Sequence, residues 1–163
     1  MSKENVEIMR ETGAPLQGVD VAPFIRAMLE GNAAAIPPDV ADSFGAVLDI
    51  YDPDFEIDTS RVDMPGFGLL QGLEGMRQLW LRWIEEWERY SWTQSNWTEI
   101  GDHVVADVRI RATGKASGVD VVWDHCQVWT FREGKVVRWL LANDRNEALE
   151  AVGLSEQDAH ADS

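Results

Sequence analysis

Residues 119–144, VDVVWDHCQVWTFREGKVVRWLLAND, place two apolar runs rich in Val, Trp, Phe and Thr on either side of Arg132-Glu133-Gly134-Lys135. Such runs around a Gly-containing turn predict an antiparallel hairpin, here with a polar stop at Asn143-Asp144. Side chains on a strand alternate faces with period two. Val119, Val121, Trp123, His125, Gln127, Trp129 and Phe131 therefore share one face, and Asp120, Val122, Asp124, Cys126, Val128 and Thr130 share the other. The first set is a core face interrupted by two hydrogen-bonding groups. Buried polar groups need partners. The interruption at His125 and Gln127 is thus either a satisfied core network or the floor of a ligand pocket.

Working outward, His103–Thr113 alternates in the same way, with Val104, Ala106, Val108, Ile110 and Ala112 on one face and His103, Asp107, Arg109 and Arg111 on the other. Ser91–Ile100 reads as a more polar strand in which Trp97 points inward, turning at Gly101-Asp102. Before it, Leu73–Tyr90 is predicted as a single long helix, since Met76, Trp80, Trp83, Ile84 and Trp87 form one apolar stripe. Arg61–Gly72 is rich in Gly and Pro and is expected to be an irregular loop. Its Gly66–Gly72 run has the wrong spacing for a nucleotide loop. Phe55–Thr59 reads as a short alternating strand, after Tyr51-Asp52-Pro53-Asp54 has ended the helix before it. Three helices are expected first, at Ser2–Glu11, Val21–Glu30 and from Pro37-Pro38-Asp39 onward. Asp144 is placed to cap a last helix, Arg145–Val152, ended by Gly153. Helices followed by a strand meander give an α+β class rather than a parallel sheet.

At 163 residues, 45% of them apolar and 8 of them Trp, the chain suits one globular domain over 1–154, with a disordered acidic tail at 155–163. A formal charge of −15 argues against nucleic acid or an anionic membrane as partner. The single Cys126 has no disulfide partner and lies in no CxxC motif, and three scattered His make a metal site unexpected. The opening Met-Ser-Lys-Glu-Asn leads into no apolar run, so neither a signal peptide nor a membrane span is expected and the chain reads as cytoplasmic.

Several short motifs, in order, resemble the SnoaL-like branch of the nuclear transport factor 2-like superfamily. They are Asn5–Arg10, Asp52–Glu56, Gly72–Met76, Gly101–Val105, Val128–Val137 and Asp144–Leu149. Residues 13–38 depart from the pattern as a longer connection between the first helices, placed to reshape a pocket mouth or a dimer edge. The resemblance implies a curved, mostly antiparallel sheet wrapped around helices as an open cone with a central pocket, in a homodimer joined through the sheet. Outward residues Cys126, Val128 and Leu140 would then be available to bury a partner sheet. Relatives include polyketide cyclases, ketosteroid isomerase and limonene epoxide hydrolase, alongside many binding domains, so the fold leaves the function open.

The pocket positions expected from this are Phe55, Ile57 and Thr59 on the first strand and Trp83 on the long helix, with Val108, Ile110, Trp123, Trp129, Trp139 and Leu141 on the meander. The enzymatic relatives do not transfer position by position. Gln127 falls where the isomerase has an oxyanion donor, but Thr59 falls near its general base and cannot abstract a proton, and Asp58 alternates to the wrong face. The epoxide hydrolase's charged residues fall at Val108, Ile110 and Leu141, all apolar here. Two classes therefore stay open. One is a cofactor-free pocket protein for an apolar or aromatic molecule, with His125 as proton-transfer group and Gln127 as orienting donor in an isomerase, cyclase or hydrolase reaction. The other is a non-catalytic dimeric binding or accessory domain in which His125 and Gln127 satisfy each other.

Overall fold

The structure is a computed structural model describing residues 2–62 and 68–154. The tail expected at 155–163, with His160, and the middle of the glycine-rich loop lie outside the described residues. Three helices come first: α1 (Ser2–Gly13), α2 (Ala22–Leu29) and α3 (Pro38–Asp49). They are followed by β1 (Tyr51–Arg61), β2 (Leu69–Gln71), α4 (Gly72–Trp83), β3 (Trp87–Ile100), β4 (His103–Gly114), β5 (Asp120–Arg132), β6 (Lys135–Ala142) and α5 (Arg145–Ala151). The strands form one sheet in the order β2-β1-β6-β5-β4-β3. Every neighbouring pair is antiparallel except β1 with β6. This is the α+β architecture expected, a curved sheet holding helices on its concave side.

The decisive hairpin pairs Gln127 with Leu141 and Trp129 with Trp139. Its two-residue turn has Glu133 at φ 51° and Gly134 at φ 78°. Positive φ at both central residues gives a turn whose twist matches the flanking strands, and Gly134 adopts it without a Cβ penalty. Inward residues Val104, Ala106, Val108, Ile110 and Ala112 of β4 are all buried. Asp144 caps α5 by accepting from the Glu147 N–H at 2.9 Å, and Glu147 reaches back to the Asn143 N–H at 3.3 Å.

Four expectations are corrected. The helix predicted through Tyr90 ends at Trp83, passes through a 3-10 turn at Ile84–Glu86 and becomes β3. Trp83 and Trp87 satisfy a helical spacing, but Tyr90 pairs with Ala112 across the sheet and Arg26 of α2 takes the carbonyl of Trp87. Long-range pairing overrides local periodicity there. Similarly, the strand expected to start at Phe55 already starts at Tyr51, so Tyr51–Asp54 belongs to β1, and the expected loop contains β2, whose Leu70 pairs with Ile57. Lastly, Cys126, Val128 and Leu140 are covered by Ala148 and Leu149 of α5. The chain's own last helix occupies the surface assigned to a partner sheet, because an apolar strip on the convex face must be buried by something.

The long connection between α1 and α3 folds onto β3, which is the sheet edge. The Gly18 N–H donates to the Trp92 carbonyl and the Val21 N–H to the Tyr90 carbonyl, each at 2.8 Å. Asp20 Oδ1 accepts from the Tyr90 N–H at 3.0 Å, and Gln17 Oε1 from the Gln94 N–H at 2.7 Å. An open strand edge invites unwanted pairing, and this segment closes four of its groups. No helix among the described residues is long and apolar enough to cross a membrane.

Candidate functional site: an aromatic cavity

A cavity of about 410 Å³ lies between the concave face of the sheet and the helices. Leu16, Ile25 and Met28 of the long connection form one wall. Phe44 and Val47 of α3 and Met76 and Trp80 of α4 supply the helical side. The lining is overwhelmingly apolar, as in most small-molecule sites. Among the described residues bordering it, the one charged side chain is Arg77, an exposed residue of α4.

Of the residues expected to line a pocket, Trp83, Val108, Ile110, Trp123, Trp129, Trp139 and Leu141 do so, together with Gln127. Phe55, Ile57 and Thr59 do not. Phe55 and Ile57 are buried in a cluster with Val62, Leu79 and Leu141, and the Thr59 hydroxyl is spent on the Gly68 carbonyl at 3.0 Å. His125 also fails to border the cavity, although it is only 4% exposed and on the inward face. It stacks on Trp123, ring centroids 4.0 Å apart at 14°, beside Gln127.

The hydrogen bonds fix the state of this pair. Trp139 Nε1 can only donate, and it meets Gln127 Oε1 at 2.8 Å. The amide nitrogen of Gln127 therefore faces His125 Nε2, 2.9 Å away. That ring nitrogen must accept, which puts the imidazole proton on Nδ1, a buried atom with no partner in hydrogen-bonding geometry. Burial lowers the His125 pKa from 6.5 to about 4, partly opposed by the Trp123 backbone and the Asp124 charge. The imidazole is neutral near pH 7, and it locks the Gln127 amide at the cavity floor.

Among the lining residues overlooked by the sequence reasoning are Tyr51 and Tyr90. Tyr51 was hidden by Asp52-Pro53, which signals a turn, and Tyr90 by the helical stripe. The available clue was the period-two alternation Tyr90, Trp92, Gln94. Elsewhere, Asp58 lies outside the cavity, bonded to Ser60 and to Arg138 at 2.7 Å. Burial raises its pKa, but the Ser60 bonds and the Arg138 guanidinium outweigh this and hold it below the usual value. The Cys126 thiol, buried under α5, is pushed up to about 12. His125 instead borders a second, polar depression, together with Val108 and with charges that pair with one another, Arg109 with Asp124 at 2.7 Å and Arg145 with Asp107 at 3.4 Å. No group of three or more His, Cys, Asp or Glu among the described residues is arranged to hold a metal ion.

Residues 21–139 match the family model of the SnoaL-like domain. The chain belongs to the SnoaL-like family. Its fold is similar to that of an NTF2-like protein of unknown function from Burkholderia pseudomallei, with a TM-score of 0.59 at 16% identity over 91% of this chain and 97% of that one. Bal32a, from a soil-derived mobile gene cassette, gives a TM-score of 0.58 at 15% identity over 86% and 88%. TerC, co-crystallised with polyporic acid, gives 0.56 at 21% identity over 64% of this SnoaL-like chain and 81% of TerC. At such identities the likeness is one of fold. No curated protein matches the sequence.

Proposed function

We propose that this SnoaL-like protein binds a flat, largely apolar small molecule in the cavity, with Gln127 as its polar anchor and His125 as the residue that positions the Gln127 amide. The observation that carries this reading is an aromatic cavity of about 410 Å³ whose floor holds an amide fixed from both sides. Such convergence of a few polar groups in an apolar hollow is the usual form of a ligand site. TerC, a protein of the same fold, was crystallised with a small molecule, polyporic acid, which is consistent with it.

Binding is favoured over proton-transfer catalysis because no carboxylate, imidazole or thiol borders the cavity among the described residues. A general base must come within about 3 Å of the proton it takes, and His125 stands behind Gln127. The test is a thermal-shift screen against three-ring aromatic compounds. A ligand that binds only the folded state raises the melting temperature by mass action. Gln127→Leu should abolish a shift that the native protein shows, while retaining its fold by circular dichroism. An undiminished shift in that variant would remove Gln127 from the site.

A further inference from the structure

We infer that the ligand presents an acceptor oxygen, as a conjugated ketone does, to the hydroxyl of Tyr51 or Tyr90, and that the cavity selects against hydrocarbons and against donors of the same shape. The inference rests on the cavity being the ligand site, and it adds the chemical class of the occupant.

The argument is a count of donors and acceptors in the wall. Tyr90 Oη lies 2.8 Å from Trp83 Nε1, and Tyr51 Oη lies 3.2 Å from Trp129 Nε1. An indole nitrogen only donates, so each phenol oxygen is the acceptor and keeps its own proton to give. Both rings are held in place. Tyr90 is 3% exposed and meets Trp80 edge-on at 5.6 Å, and Tyr51 packs on Phe55 at 4.7 Å. The Gln127 amide has spent one N–H on His125 and retains the other. By contrast, the amide acceptors of the wall are engaged: Gln127 Oε1 by Trp139, and Gln94 Oε1 by Gln17 at 2.6 Å. Burial pushes both phenols above their ordinary pKa, which keeps them protonated as donors. A wall rich in unspent donors, with its amide oxygens occupied, complements a ligand that brings oxygens. Buried donors left unmet are costly, and this is what turns the imbalance into selectivity.

Three tricyclic probes of one shape separate the possibilities: fluorene, which offers neither donor nor acceptor, 9-fluorenone, which adds a carbonyl, and carbazole, which adds an N–H. Dissociation constants would be measured by equilibrium dialysis on the full chain. The expected result is 9-fluorenone bound about tenfold more tightly than fluorene or carbazole, the advantage of roughly one buried hydrogen bond. Tyr51→Phe or Tyr90→Phe should lower the ratio of 9-fluorenone to fluorene affinity from about ten to about one. Each variant leaves an indole N–H without its acceptor, so folding is checked by circular dichroism, and the ranking on the native protein stands independently of the variants. Equal affinity for 9-fluorenone and fluorene, or tighter carbazole, overturns the acceptor inference and leaves the site reading intact. Absence of binding by all three overturns both.

Discussion

His125 shows how far a side chain's neighbours determine its chemistry. Its imidazole shares the inward face of β5 with Trp123 and Gln127, and its hydrogen bond to Gln127 requires the neutral form. Protonating Nε2 would set two donors against each other. The folded-state pKa of about 4 lies below the ordinary 6.5. Between those values the unfolded chain binds more protons than the folded one, so stability falls as pH drops from about 6.5 to 4 and levels off below. The expected loss is about 2–4 kcal/mol at ~1.4 kcal/mol per pKa unit. Asp58 contributes in a different window, because its lowered pKa costs stability only below its ordinary 3.8. Urea unfolding of the native protein and of His125→Gln, compared at each pH from 7 to 4, isolates the effect. A constant difference between the two curves across that range would contradict it.

At the scale of elements, the edge of the sheet gives the clearest case. Asp20 Oδ1 holds the amide of Tyr90 in β3 and that of Ala22 at the start of α2, which ties the long connection to the strand. Asp20→Ala should destabilise the protein by about 1–2 kcal/mol, the usual effect of removing a local side-chain acceptor for backbone amides. Hydrogen exchange at Tyr90 and Val21 should quicken in the same variant, and unchanged exchange there would mean the segment is held by its apolar contacts alone.

The same elements show what was legible in the sequence. The β5–β6 hairpin was readable because alternation and the Glu133-Gly134 turn agreed, and Gln127 stood out as a polar group on an aromatic face. Period two assigns a face but carries no depth, so it could not tell that Gln127 borders the cavity while His125 lies behind it. The run from Ile84 to Tyr90 was misread because aromatics at helical spacing also suit a strand, and only pairing with β4 decides. Tyr51 and Tyr90 were missed for that reason, since each lies at the start of a strand whose boundary local signals obscured.

For the whole molecule, charge and cavity are kept apart. The chain carries 29 acidic and 14 basic residues, yet no carboxylate reaches the cavity wall among the described residues. The acidic surface repels itself, and salt shortens the Debye length from about 30 Å at 0.01 M to about 8 Å at 0.15 M. The melting temperature should therefore rise with sodium chloride over that range. A fall would mean that exposed pairs such as Arg109–Asp124 outweigh the net repulsion.

The connection that carries Leu16 and Ile25 into the cavity wall also closes the free edge of β3 through Gly18 and Val21. Room for a guest and protection against self-association are thus built from one piece of chain. Evolution or engineering that loosens this segment to admit bulkier occupants will bare a strand edge in the same stroke. Aggregation therefore limits how far the cavity can be widened from this side, and the helix α4 side is the safer place to enlarge it.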